Sequence, residues 1–180
     1  MVNTFLPYSN FRKIAKILDP KRLGKQRVEA KQIINILDNS TEKKGWINHP
    51  AVKMWIGYED ALKYYYNTIV EEWIKRGYVN NMKFYKLPNK ISIPWFVKCK
   101  ALNLSHQASL IRKYPEYYKK IFIPSPPKKY LSYTYIWPSN LTTMNIKCLK
   151  RQKDSNIDIS KYAKLYTDTY AAKRIEKLKK

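Results

Sequence analysis

The chain is poor in the residue types that build most metal and cofactor sites. Its 180 residues include two cysteines, Cys99 and Cys148, and two histidines, His49 and His106. Two thiols make neither a disulfide framework nor a zinc-ligand spacing, and the expectation is two reduced cysteines in an intracellular protein. Two distant histidines exclude a His-rich metal site. The four glycines form neither a P-loop nor a GxGxxG phosphate cradle. No apolar run approaches the length of a membrane-crossing helix. Residues 1–20 lack the continuous apolar stretch of a secretory signal. The expected protein is therefore soluble and intracellular, not secreted, and has no membrane partner. Acids are scarce as well, 13 Asp+Glu against 36 Lys+Arg, and they are scattered. That excludes a two-metal nuclease site, so no metal and no cofactor are expected.

What remains is basic, aromatic and apolar. A hydrophobic fraction of 44% with 16 Tyr and 5 Trp is enough for a packed core and excludes wholesale disorder. The net charge is +23, which costs stability through self-repulsion and points to a polyanionic partner. A low-GC coding bias explains why Lys outnumbers Arg; it does not explain the shortage of acids. Residues 1–60 hold 11 basic and 6 acidic groups, 61–120 hold 12 and 3, and 121–180 hold 13 and 4. The folded part is therefore itself basic, and nucleic acid, duplex DNA in particular, is the expected partner.

Helical signals dominate, so the expected fold is mainly α. It is a compact single helical domain with Pro/Tyr-rich loops, over residues 1–139, and a basic C-terminal helical extension over 140–180. One or two helical turns are expected over residues 11–18. Asp19-Pro20 is an N-cap followed by Pro in the first turn, and Leu23, Ala30, Ile34 and Leu37 predict a helix to Leu37. Thr41 to Trp46 reads as a polar loop. Asn48-His49-Pro50 opens a second helix with a buried stripe of Val52, Trp55, Leu62, Tyr65, Ile69 and Trp73, ended at Gly77. Residues 78–94 read as irregular. A third helix is expected over 97–113 and a short one over 115–122. Residues 123–140 read as loop or polyproline geometry, and residues 158–180 as a basic terminal helix.

Three constellations carry possible chemistry. Arg12, Lys13, Lys16, Lys21, Arg22, Lys25, Arg27 and Lys31 face only Asp19 and Glu29. Helical spacing aligns Arg22, Lys25, Gln26 and Glu29. A lone carboxylate in a DNA-facing basic strip repels phosphate, so it is either functional or an ordinary Lys25–Glu29 surface pair worth about 0.3–0.5 kcal/mol. Asn48 and His49 stand at a helix start, where they either cap it or bind phosphate. His106 and Lys113, seven apart with Arg112 between them, either line a site or form a solvated polar face. Trp46 or Tyr64 could receive a base; Trp55 and Tyr65 read as core.

Residues 18–29 (Leu-Asp-Pro-Lys-Arg-Leu-Gly-Lys-Gln-Arg-Val-Glu) and 45–52 (Gly-Trp-Ile-Asn-His-Pro-Ala-Val) resemble proteins grouped with pyrimidine-dimer DNA glycosylases of the phage endonuclease V type. The chain is most similar to a bacterial branch beginning Thr-Phe-Leu-Pro, here Thr4 to Pro7, and the likeness runs over about residues 3–138. The resemblance implies a compact helical enzyme that uses the α-amine of the processed N-terminal residue as nucleophile and one early-helix glutamate as acid/base group. The damaged duplex is kinked, a base is flipped out, the amine attacks C1′ and forms a Schiff base, and β-elimination nicks the strand. Carried over, Glu29 is the acid/base group and Val2, after removal of Met1, the nucleophile. DNA contacts are expected from Arg12, Lys21, Arg22, Lys25, Arg27, Lys31, Asn48, His49, Lys53, His106, Arg112 and Lys113. In the enzymes an arginine directly precedes the glutamate, where this chain has Val28, and their first residue is Thr rather than Val.

The function these expectations describe is a metal-independent DNA glycosylase with AP-lyase activity on damaged duplex DNA. The alternative is a non-catalytic, sequence-nonspecific DNA-binding or DNA-compacting protein on the same scaffold; an RNA-binding role lacks any recognition motif. The basic C-terminal helix is expected to contact DNA or a protein partner.

Overall fold

A computed structural model describes residues 2–40, 46–131 and 135–138, which are mainly helical, as expected. Residues 41–45 of the expected polar loop and the basic extension over 140–180, with its terminal helix, lie outside the described residues. The chain packs as two compact units, Met1–Pro94 and Trp95–Lys180, and this division falls inside the stretch expected to form one domain.

The first unit begins with a buried non-helical segment, Val2 to Pro7. Helix α1 (Phe11–Ile17) is capped by Asn10, whose side chain accepts the Lys13 N–H at 2.9 Å. Helix α2 (Pro20–Leu37) starts as expected: the Asp19 carboxylate accepts the Arg22 N–H at 3.2 Å, and Pro20 gives up an amide that the first turn would leave unbonded. Its buried face runs through Leu23, Gln26, Glu29, Ala30, Ile33 and Ile34.

The single helix expected from Asn48 to Arg76 is instead two, α3 (Pro50–Lys53) and α4 (Glu59–Lys75). The break is at Gly57, whose φ of +79° is left-handed and ends the helical path; its N–H is then taken by the Glu59 carboxylate at 2.8 Å. The stripe survives the break, since Val52, Trp55, Leu62, Tyr65 and Ile69 are all buried. Trp73 is only half-buried, and its ring crosses α2 at Gly24. A Cβ on Gly24 would stand 2.9 Å from its ring, so that crossing needs glycine. Gly77, at φ +80°, closes α4 as expected.

Arg76 then ties α4 to α1. Its Nη1 donates to the Leu18 carbonyl at 2.7 Å and its Nη2 to those of Ala15 and Lys16 at 3.0 and 2.9 Å, with Glu72 2.8 Å from Nε. Residues 78–94 are irregular, as expected, and are held by Asn67, which both donates to and accepts from the Tyr85 backbone at 2.8 and 3.0 Å.

The second unit starts with a 3-10 turn, Trp95–Lys98, which takes up residues 97 and 98 of the expected third helix, followed by α5 (Lys100–Lys113) and α6 (Pro115–Ile121). The Pro-rich stretch after residue 123 contains a short helix, α7 (Lys128–Leu131). The buried face of α5 includes Leu102, Ser105, His106 and Ser109. Ser105 Oγ accepts the Ile136 N–H at 2.9 Å, and the His106 ring meets those of Tyr135 and Trp137 at 5.4 and 6.0 Å. Among the described residues, no helix is long and apolar enough to cross a membrane.

Candidate active site

The buried N-terminal segment is held chiefly by one side chain of α2. Gln26 Oε1 accepts the Phe5 N–H at 2.9 Å, and Gln26 Nε2 donates to the Asn3 carbonyl at 3.1 Å. A primary amide thus pairs with an extended segment as a neighbouring strand would. Nε2 also lies 2.9 Å from Glu29 Oε2, one turn further along the helix, so its two hydrogens serve both acceptors. From α4, the Tyr65 hydroxyl stands 2.7 Å from Gln26 Oε1 and 3.1 Å from the Phe5 carbonyl, a choice of two acceptors for one proton. Trp55 Nε1 donates to Thr4 Oγ1 at 3.0 Å. The Asn3 N–H reaches the Glu29 carboxylate. Residues 3–5 are thereby fastened to α2, to α4 and to Trp55 in the link between α3 and α4.

Glu29 is 6% exposed, and burial pushes its carboxyl above the ordinary carboxylate range. The Lys25 ammonium draws it back down most, at 3.6 Å; the Asn3 N–H and, last, the positive charge of the chain terminus act in the same direction. Burial and the nearby Glu29 charge hold the Tyr65 hydroxyl well above its usual value, so it stays a donor. A desolvated carboxyl, hydrogen-bonded on one oxygen and ion-paired on the other, holds its proton to higher pH than an exposed carboxyl does and so suits proton transfer. Val2, one residue before this network, is 4% exposed.

The other expected site residues fall into three groups. Arg12, Lys21, Lys25, Asn48 and Lys53 are exposed on the first unit and Lys31 is half-buried there. Arg22, Arg27 and His49 are half-buried and engaged. Arg22 pairs with Asp19 at 3.3 Å. Arg27 lies 3.9 Å over the Trp73 ring and donates to Asn80 Oδ1 at 3.1 Å. His49 caps α3, its Nδ1 accepting the Ala51 N–H at 3.1 Å, and meets the exposed Trp46 ring edge-to-face at 5.3 Å.

The third group is in the second unit. His106, expected to contact DNA, is fully buried in the second unit's core, and burial lowers its pKa to about 3. The polar face expected through His106 and Lys113 is therefore not one surface: the α5 side that carries His106 packs on residues 135–137, whereas Lys113 is exposed. Arg112 donates to the Leu131 carbonyl at 2.9 Å and to Ser109 Oγ at 2.7 Å, which ties α7 to α5.

Sequence reasoning placed Gln26 on the strip with Glu29 without giving it a role, and it missed Asn3, Thr4 and Tyr65. The available signal was a glutamine at a spacing of three from the glutamate, inside an otherwise apolar stripe. Among the described residues, no three His, Cys, Asp or Glu side chains gather where they could hold a metal ion.

Residues 2–86 match a family described as pyrimidine dimer DNA glycosylase. The matched stretch contains Val2, Gln26, Glu29 and Tyr65, lies within the first unit, and stops before His106, Arg112 and Lys113. No curated protein and no solved structure matches the chain.

Proposed function

Residues 2–86 belong to the pyrimidine dimer DNA glycosylase family, and from that premise we propose that the protein is a metal-independent DNA glycosylase and AP lyase of damaged duplex DNA. The observation that carries the reading is the buried Glu29 carboxyl, raised in pKa and hydrogen-bonded to the segment that directly follows the chain terminus. In this reading the α-amine of Val2, freed by removal of Met1, is the nucleophile. An α-amine with a reference pKa near 7.7–8.0 is partly unprotonated at neutral pH and needs only a modest push to react.

The amine lone pair forms a bond to C1′ of the deoxyribose. The glycosidic bond breaks, its electron pair leaves with the base, and Glu29 supplies a proton. Opening of the sugar gives an imine between the amine and C1′. Glu29, now a carboxylate, stabilises the iminium charge and relays the C2′ proton, while the C3′–O bond breaks and the 3′ phosphate leaves. Lys25 keeps a cation beside Glu29 on the solvent side. Arg12, Lys21, Lys31, Asn48 and Lys53 supply the phosphate contacts of the first unit, and Arg22 joins them from its Asp19 pair. Arg27 is assigned a structural part, since its guanidinium is committed to Trp73 and Asn80.

Strand nicking on a duplex with one abasic site, with chelator present, tests the reading. The wild-type chain is expected to nick, and Glu29→Gln to bind the same duplex within a few-fold but to nick at least about a hundredfold more slowly. A Glu29→Gln protein that nicks at the wild-type rate overturns the assignment. A wild-type chain that binds tightly but never nicks leaves a non-catalytic DNA-binding protein.

A further inference from the structure

Residues 3–5 are almost completely satisfied. The Asn3 N–H bonds Glu29 and the Asn3 carbonyl bonds Gln26. Thr4 Oγ1 takes the Trp55 indole N–H. The Phe5 N–H bonds Gln26, and the Phe5 carbonyl accepts from Tyr65. The Asn3 side chain differs from these. Asn3 is 5% exposed, and among the described residues neither its Oδ1 nor its Nδ2 has a hydrogen-bond partner. A buried amide left unbonded costs on the order of 1–3 kcal/mol. Such groups are rare in folded proteins, and this one belongs to the residue whose backbone N–H bonds Glu29, so a partner arriving with the substrate would complete it.

Resting on the glycosylase reading above, we propose that the Asn3 carboxamide is a specificity group that reads the nucleobase edge of the nucleotide held at Glu29. A carboxamide offers one donor beside one acceptor, and its complement is an acceptor beside a donor. Thymine presents that pair on its imide edge, and crosslinking at C5 and C6 leaves the edge intact. The Asn3 backbone is anchored on both sides, by Gln26 and by Glu29, so the carboxamide needs little ordering to bind. A site built to hydrogen-bond such an edge discriminates strongly against a ligand that lacks it, because its own groups are then left unpaired.

The test compares equilibrium binding to two duplexes alike but for one position: a cyclobutane thymine dimer in one, a tetrahydrofuran abasic analogue in the other. Asn3→Ala is expected to weaken dimer binding at least tenfold more than abasic binding. It is also expected to leave the melting temperature equal or higher, because it removes an unbonded buried amide. Asn3→Asp, close in shape but without the donor, is expected to lose the same preference. Equal losses on the two duplexes, no loss on either, or a clearly lower melting temperature for Asn3→Ala each overturns the proposal. Abasic-site nicking by the wild-type chain, measured separately, reports on the glycosylase reading, and its failure is distinct from any of these outcomes.

Discussion

Both units bury polar groups on a helix, and they do so to opposite ends. In the first, Gln26 and Glu29 of α2 bind the N-terminal segment, and the buried group that titrates is an acid. In the second, Ser105 and His106 of α5 face residues 135–137, and the buried group that titrates is a base. Burial disfavours charge in both, so it raises Glu29 and lowers His106 to about 3. Of the two, Glu29 has an exposed cation, Lys25, at 3.6 Å, which stabilises its charged form against burial. His106 stays neutral wherever the protein is folded at ordinary pH, as suits a core residue. The family match covers the first centre and not the second. Between Glu29 and His106, the one whose environment opposes its own desolvation is the better candidate for chemistry.

The largest effect that would break this comparison is on catalysis. Glu29→Gln is expected to abolish nicking, while His106→Asn leaves nicking within a few-fold; a reversed order would move the chemistry to the second unit. Stability against pH should separate the two centres by sign. His106 has a folded pKa below its unfolded value of about 6.5, so its contribution is present above that pH and is lost as pH falls towards 3, at about 1.4 kcal/mol per pH unit. Chemical denaturation of wild type and His106→Asn should therefore diverge by roughly 2–3 kcal/mol in slope-derived stability between pH 7 and pH 4.5. Parallel curves would mean that the ring is charged in the fold.

Glu29 has a folded pKa above its unfolded value, so its contribution is present below that unfolded value and is lost as pH rises through the folded one. Glu29→Gln should gain stability on wild type as pH rises from 4 to 8, opposite in sign to the His106 effect. A smaller loss, about 1 kcal/mol, is expected for Tyr65→Phe, which removes one buried donor from the Gln26 network and is read by urea unfolding. The smallest is Lys25→Met: at most about 0.5 kcal/mol in stability, since the lysine end of the pair is exposed. Its signature is a shift of the Glu29-linked limb of the nicking pH profile to higher pH, because the cation that opposes burial is gone.

The helices were legible where local chemistry decides them. The Asp19-Pro20 start of α2 and the Gly77 stop of α4 follow from capping and left-handed backbone, and both stand as expected. Gly57 carried the same signal within an apolar stripe that continues across it, and the stripe hid the break. Glu29 was visible as a lone acid in a basic strip, but spacing alone could not tell a surface pair from a buried carboxyl. Burial decides that, and burial depends on the N-terminal segment packing against α2, a contact 21 to 23 residues apart. The burial of His106 was hidden for the same reason: its partners, Tyr135 and Trp137, lie about thirty residues downstream and leave no periodic trace on α5. Arg27 read as a phosphate contact because charge shows in a sequence and stacking on Trp73 does not.

The central claim is that an amine at the chain terminus and Glu29 act together on the sugar. Borohydride reduction of the protein with a duplex carrying one abasic site, in chelator, followed by peptide mapping of any covalent adduct, tests it most directly. The account predicts an adduct on the Val2 α-amine that Glu29→Gln forms far more slowly. An adduct on Lys25, or no adduct despite tight binding in the same buffer, would contradict it.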